Sequence, residues 1–203
     1  MVDIATCWTE QRAVWGKGKV GVGQQIADIE SSLPFRLRGF DADNGSEFIN
    51  WHLWNFFSKR RRPVEYTRSR EYKKNDNAHV EEKNYTIVRQ YFGYERFDNP
   101  AIVQQMNDLF KNEWRLLLNF FIPSFKLLSK ERRGSKIVKK HSSPLTPYER
   151  VLASPDVSAK VKKELKALKA SLNPFELERT VTASINNIMK NIRCGDRDCP
   201  YHT

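Results

Sequence analysis

Apolar residues recur along this chain in two rhythms, one alternating and one helical, and the two divide it into recognisable elements. Residues 1–15, "MVDIATCWTEQRAVW", are rich in β-formers with a turn near Thr6 and Cys7, which predicts a hairpin. In "VGVGQQIADIESSL", Val22, Ile26, Ile29 and Leu33 share one helical face. "PFRLRGFDA" reads as a short strand whose end delivers Asp41 and Asp43 to a loop. The aromatic stretch 48–57 reads as a buried helix, and a second short strand is expected around residues 64–67. From Asn77 a helix is expected, with Val80, Asn84, Ile87 and Tyr91 on one face and Glu81, Tyr85, Val88 and Phe92 beside it. A long helix begins at Pro100, a favoured first-turn residue, and ends before Pro123.

Beyond that point the pattern changes. Residues 129–140 hold six basic residues and one acidic one, which reads as a basic clamp or a flexible linker. Thr146 and Glu149 then form a capping box around Pro147. Two amphipathic helices follow, with seams Val161/Leu165/Leu168/Leu172 and Leu177/Val181/Ile185/Ile188/Ile192. The expected division is an α/β core over residues 1–125 and a basic linker with a helical extension over 126–203. No internal repeat is visible.

Charge sharpens this picture. The 203 residues carry 35 Lys and Arg against 24 Asp and Glu, a net +11, which favours a polyanionic partner, nucleic acid before membrane. No apolar run reaches the length of a membrane span, and Met1 opens no secretory pattern. Cys7, Cys194 and Cys199 make no disulfide framework, so a reducing cytoplasm is expected. Cys194, Cys199 and His202 mimic a zinc site but lack a fourth ligand. Trp8, Trp51, Trp54 and Trp114 read as core and surface packing.

The candidate chemistry lies at "FDADNGSEF". A strand ending in aspartate places a carboxylate at the carboxyl edge of a sheet, where α/β ligand sites gather. Locally, Asp43, Asn44, Gly45 and Ser46 are also turn-formers able to cap the next helix. Glu81, separated from Asp43 by a gap of thirty-seven residues, starts a helix after a stretch dense in cations. If helix and strand end meet, the two carboxylates share a divalent ion, and magnesium needs few protein carboxylates. Arg60, Arg61 and Arg62 on one side, and Arg68, Arg70, Lys73 and Lys74 on the other, suit phosphate contacts flanking such a site.

"FDADNGSEF" and "NDNAHVEEKN" together resemble the second and third parts of the catalytic signature of DDE integrases and transposases, the retroviral-integrase-like core. Residues 2–14 resemble the family's second strand, turn and third strand. The region from "NFFIPSFKLLSKERRGSKIVKKHSSPLTPYERVLAS" resembles that following the core in a group of bacterial insertion-sequence transposases. The resemblance implies a ribonuclease-H-like mixed sheet flanked by helices. It implies Asp43 and Glu81 as catalytic metal ligands, Mg2+ (or Mn2+) as cofactor, and DNA (element ends and target) as partner. Homo-oligomers near the bacterial nucleoid, and no membrane, are also expected. It places His79 and Lys83 at the active-site rim, and Lys136, Lys139 and Lys140 in the DNA-binding clamp.

One departure matters. The family's first aspartate lies roughly fifteen to twenty residues before the point matched by Asp3, so the expected chain lacks the first, central strand and one metal ligand. Asp41 is a poor stand-in, being on the same strand as Asp43. Unpaired strand edges are expected from the missing strand, and so is DNA binding retained in part with weak or absent strand transfer. The competing readings are a non-catalytic nucleic-acid-binding or assembly protein, with the acidic pair as a helix cap, and a helical interaction module over residues 158–192.

Overall fold

The computed structural model describes residues 1–16, 18–43, 45, 48, 51–69, 84–94, 97 and 99–195. They form a mixed α/β structure of helices with small sheets. The strands make two separate pairs, where a single mixed sheet is expected from the resemblance.

Helix α1 (Lys19–Ser32) buries Ile26 and Ile29 on the predicted face and ends where Leu33 turns extended ahead of Pro34. Strands β1 (Gly39–Ala42) and β2 (Glu65–Arg68) pair in parallel, which requires a crossover, and helix α2 (Trp51–Ser58) supplies it. Phe57 stacks on both Phe40 and Tyr66 at 4.9 and 5.8 Å between centroids, fixing α2 on one face of the pair. The helix is amphipathic rather than buried throughout: Leu53 and Phe57 are covered, while Trp51 and Trp54 are 66% and 41% exposed and stack on each other.

The largest core surrounds the predicted long helix. It runs as α4 (Pro100–Leu109), a π-helical turn (Phe110–Trp114) and α5 (Arg115–Phe121), capped by Asn99 with Pro100 in the first turn. Another π-helical turn (Asn84–Arg89) leads into the short α3 (Gln90–Phe92), whose Phe92 is buried against Phe110 and Trp114. The last helix, α8 (Pro174–Gly195), lays Val181, Ile185, Ile188 and Ile192 into this same cluster. A second cluster joins Trp8, Phe120, Tyr148, Val151, Val157 and Leu165, so helices α6 (Pro147–Ala153) and α7 (Ala159–Ser171) close over the end of α5. The capping box at Thr146 and Glu149 forms as its spacing predicts.

Two segments differ from expectation. The expected hairpin forms only over residues 1–10: Met1 and Glu10 exchange backbone hydrogen bonds at 2.7 and 3.0 Å, the Asp3 N–H donates to the Trp8 carbonyl at 2.8 Å, and Val2 and Thr9 form the bridge between them. The Asp3 carboxylate holds the turn by accepting from the Thr6 N–H at 2.7 Å and its hydroxyl at 2.6 Å. Residues beyond it run along the long helix, where side-chain amides replace a partner strand. Asn119 Oδ1 accepts from the Thr9 N–H at 2.8 Å and its Nδ2 donates to the Thr9 carbonyl at 2.9 Å. Asn107 treats Ala13 the same way at 2.8 and 3.0 Å. The open edge expected at this segment is thereby satisfied at those positions.

The second difference is the basic run. Read as a basic clamp or a flexible linker, it is built as an antiparallel hairpin, β3 (Leu127–Arg133) and β4 (Lys136–His141), turned by Gly134 at φ 63°. Its base is stitched down by the Ser124–Leu145 bridge and by Arg150 donating to Ser124 Oγ at 3.0 Å.

Candidate functional site

The parallel β1–α2–β2 unit fixes where the acidic residues stand. Asp43 follows the last residue of β1, so its carboxylate occupies the carboxyl edge of the strand pair, as the strand reading predicts. Side chains alternate across a strand. Phe40 and Ala42 therefore face the covered side, and Asp41 and Asp43 the polar one.

Asp43 Oδ1 accepts from the Gly45 N–H at 2.9 Å, an Asx turn within its own loop. The same turn has the Gly45 carbonyl accepting from the Phe48 N–H at 3.0 Å, and helix α2 is described from Trp51 onward. Among the described residues Asp43 Oδ2 has no hydrogen-bond partner. Asp41 is more fully engaged, accepting from the Thr67 hydroxyl at 2.7 Å and from the Ser69 hydroxyl at 3.4 Å. Those hydroxyls hold Asp41 against β2.

Tyr66 was not a candidate from sequence, yet it sits beside the acidic pair. Its hydroxyl donates to the Phe48 carbonyl at 2.6 Å and pins the loop beyond Asp43. Burial pushes this phenol above its usual range; Arg68 pulls it down, and the charges of Asp41 and Asp43 push it further up. Tyr66 therefore stays a neutral donor. The only signal for it was its place in β2, directly paired with Phe40.

The cations divide by position. Arg68 is exposed at the end of β2, on the same edge as Asp43. Arg60, Arg61 and Arg62 lie in the connection entering β2, at the opposite end of the pair, about 13 Å along the strands. Arg60 is also occupied: it pairs with Glu30 at 2.6 Å, donates to the Phe56 carbonyl at 2.6 Å, and stacks over the Phe56 ring. Arg60, expected at a phosphate, thereby also joins α1 to α2, while Arg61 and Arg62 are exposed. Lys136, Lys139 and Lys140 are exposed on β4. Glu81, Arg70, Lys73, Lys74, His79 and Lys83 lie outside the described residues, as do Cys199 and His202 of the zinc-like tail.

Away from this edge lies an ion network with no signal in the sequence pattern. Glu10, almost fully buried, accepts from Trp8 Nε1 at 3.0 Å and pairs with Arg115 at 3.0 Å and Arg12 at 3.4 Å. Asp28 pairs with Arg12 at 2.5 Å and Lys111 at 3.1 Å. Burial pushes the Glu10 carboxyl up against the pull of both arginines. These groups tie residues 8–12, α1 and the long helix together, and every charge is spent on another.

The edge at Asp43 thus offers carboxylate and hydroxyl oxygens, the hard donors magnesium prefers, with the positive charge of Arg68 beside them. Among the described residues no three His, Cys, Asp or Glu side chains gather as a metal group, and no helix is long and apolar enough to cross a membrane.

Comparison with known proteins adds one relative. The chain is 39% identical over 150 residues to a Sinorhizobium fredii (strain NBRC 101917 / NGR234) protein designated "Uncharacterized protein y4rM". The match takes in 74% of this chain but spans only 42% of that relative's length. No family model matches the chain. No solved structure matches it either.

Proposed function

We propose that this chain is the catalytic core of a DDE-type integrase or transposase, of ribonuclease-H-like arrangement, with Asp43 and Glu81 as two of its metal ligands. The observation that carries the reading is the placement of Asp43. It stands at the carboxyl edge of a parallel strand–helix–strand unit, on the polar face, with one carboxylate oxygen free among the described residues. The resemblance of residues 40–48 and 75–84 supplies the second ligand. A bound divalent ion would supply charge neutralisation at the phosphate and activation of the attacking hydroxyl. Asp43 holds its carboxylate ready through the Asx turn, Tyr66 fixes the adjoining loop, and Arg68 offers positive charge on the same edge. The exposed lysines of β4 hold DNA beyond the site.

A carboxylate pair repels phosphate until a cation sits between them, which gives a test by duplex-DNA affinity at matched ionic strength. Magnesium is expected to tighten binding of the wild-type chain relative to chelator. Asp43→Asn or Glu81→Gln should bind equally well in both conditions. Wild-type affinity that falls with magnesium, as simple counterion competition dictates, contradicts the proposal.

A further inference from the structure

The β3–β4 hairpin and the body of the protein enclose a cleft of about 1040 Å3. Ile87 and Leu118 lie on its apolar side, and Lys130, Lys139, Phe125 and Tyr91 also line it. Three features of this cleft need an occupant. First, Lys130 and Lys139 are directly opposite in the ladder, so both ammonium groups project from one face of the hairpin. Like charges in that relation destabilise a strand pair. Neither lysine has an acidic partner among the described residues.

Second, the cleft displays aromatic rings. Phe125 is 63% exposed and held only edge-on to His141 at 6.4 Å. Tyr91 is 44% exposed and braced edge-to-face on buried Trp114 at 4.7 Å. Third, the hairpin is anchored at its base, with Lys126 donating to the Ala5 carbonyl at 3.0 Å, so the cleft is built into the fold. Cations alone fit any polyanion. Cations interleaved with free aromatic faces fit one whose bases are also free, since a duplex keeps its bases stacked on each other.

We infer that this cleft takes a single-stranded nucleic-acid segment, its phosphates on Lys130 and Lys139 and its bases against Phe125 and Tyr91. The inference deepens the DNA part of the proposed function and is independent of the metal at Asp43. Its test is run in chelator, so failure of the catalytic reading leaves it standing.

The full chain is titrated against labelled dT12, U12 and a 12-base-pair duplex by fluorescence anisotropy. Phe125→Ala, an exposed position that should leave the melting temperature unchanged, is expected to weaken dT12 roughly tenfold and the duplex less than twofold. Lys130→Gln with Lys139→Gln should flatten the salt dependence of dT12 binding by about 1.4 in log–log slope, two phosphates' worth. Losses shared by U12 assign the cleft to either sugar, and losses on one oligomer alone assign it to that one. The inference is overturned if Phe125→Ala leaves both oligomers unchanged or weakens duplex and single strands equally. It is also overturned if the lysine pair affects a poly-glutamate peptide but not dT12.

Discussion

At Thr9 and Ala13 the backbone runs beside a helix, yet its N–H and C=O groups are paired as they would be in a sheet, because Asn119 and Asn107 present both halves of an amide. Asn119 is 0% exposed. Asn119→Ala should orphan two buried backbone groups at ~1–3 kcal/mol each, seen as a lowered denaturation midpoint with an unchanged slope. The hairpin read from the β-formers of residues 1–15 forms over residues 1–10, but nothing local announces that asparagines about a hundred residues away will also satisfy Thr9 and Ala13. Glu149 is the opposite case, legible in full from Thr-Pro-Tyr-Glu. The Thr146 backbone N–H and hydroxyl hold its carboxyl below the ordinary value of 4.5. The folded chain therefore binds that proton more weakly than the unfolded one, and the stabilisation is complete above about pH 4.5 and lost as pH falls through the lowered value. The melting-temperature gap between wild type and Glu149→Gln at pH 7 should shrink by pH 3; a constant gap refutes the linkage.

Elements were legible where one face is buried and obscure where none is. The seam of α8 repeats at helical spacing, and Ile188 is buried against the long helix as that spacing requires. Ile188→Ala should cost about 2–5 kcal/mol by chemical denaturation, and deleting α8 should uncover Ile102 and Trp114 and abolish a cooperative transition. A module whose helices merely decorate a self-sufficient core would lose neither. The β3–β4 hairpin gave no comparable signal. Both its faces mix lysine or arginine with isoleucine, valine or leucine, and nearly all its residues are exposed, so the alternation that marks a half-buried strand is missing. Gly134 and Ser135 were the available clue, a turn between two basic stretches. In the long helix the π-helical turn at Phe110–Trp114 also left no trace, since it shifts the register of the buried face without changing its residues.

For the molecule as a whole, a net +11 is informative about partners but blind to which cations are free. Arg60 is spent on Glu30 and Phe56, whereas the β4 lysines face solvent. Replacing Lys136, Lys139 and Lys140 with Gln should weaken duplex binding and reduce its salt slope by about 0.9 for each phosphate no longer neutralised. Arg60→Ala should instead lower stability by about 1 kcal/mol and leave DNA affinity unchanged. The acidic edge was legible in part, because a strand followed by Asp-Asn-Gly fixes Asp43 locally. Its meeting with Glu81 depends on the path of the chain between them, which no local pattern encodes. That meeting is the central claim, and manganese binding followed by electron paramagnetic resonance tests it most directly. The account predicts a site in the wild-type chain that is lost in both Asp43→Asn and Glu81→Gln and kept in Asp41→Asn. Manganese bound equally by all four proteins would contradict it.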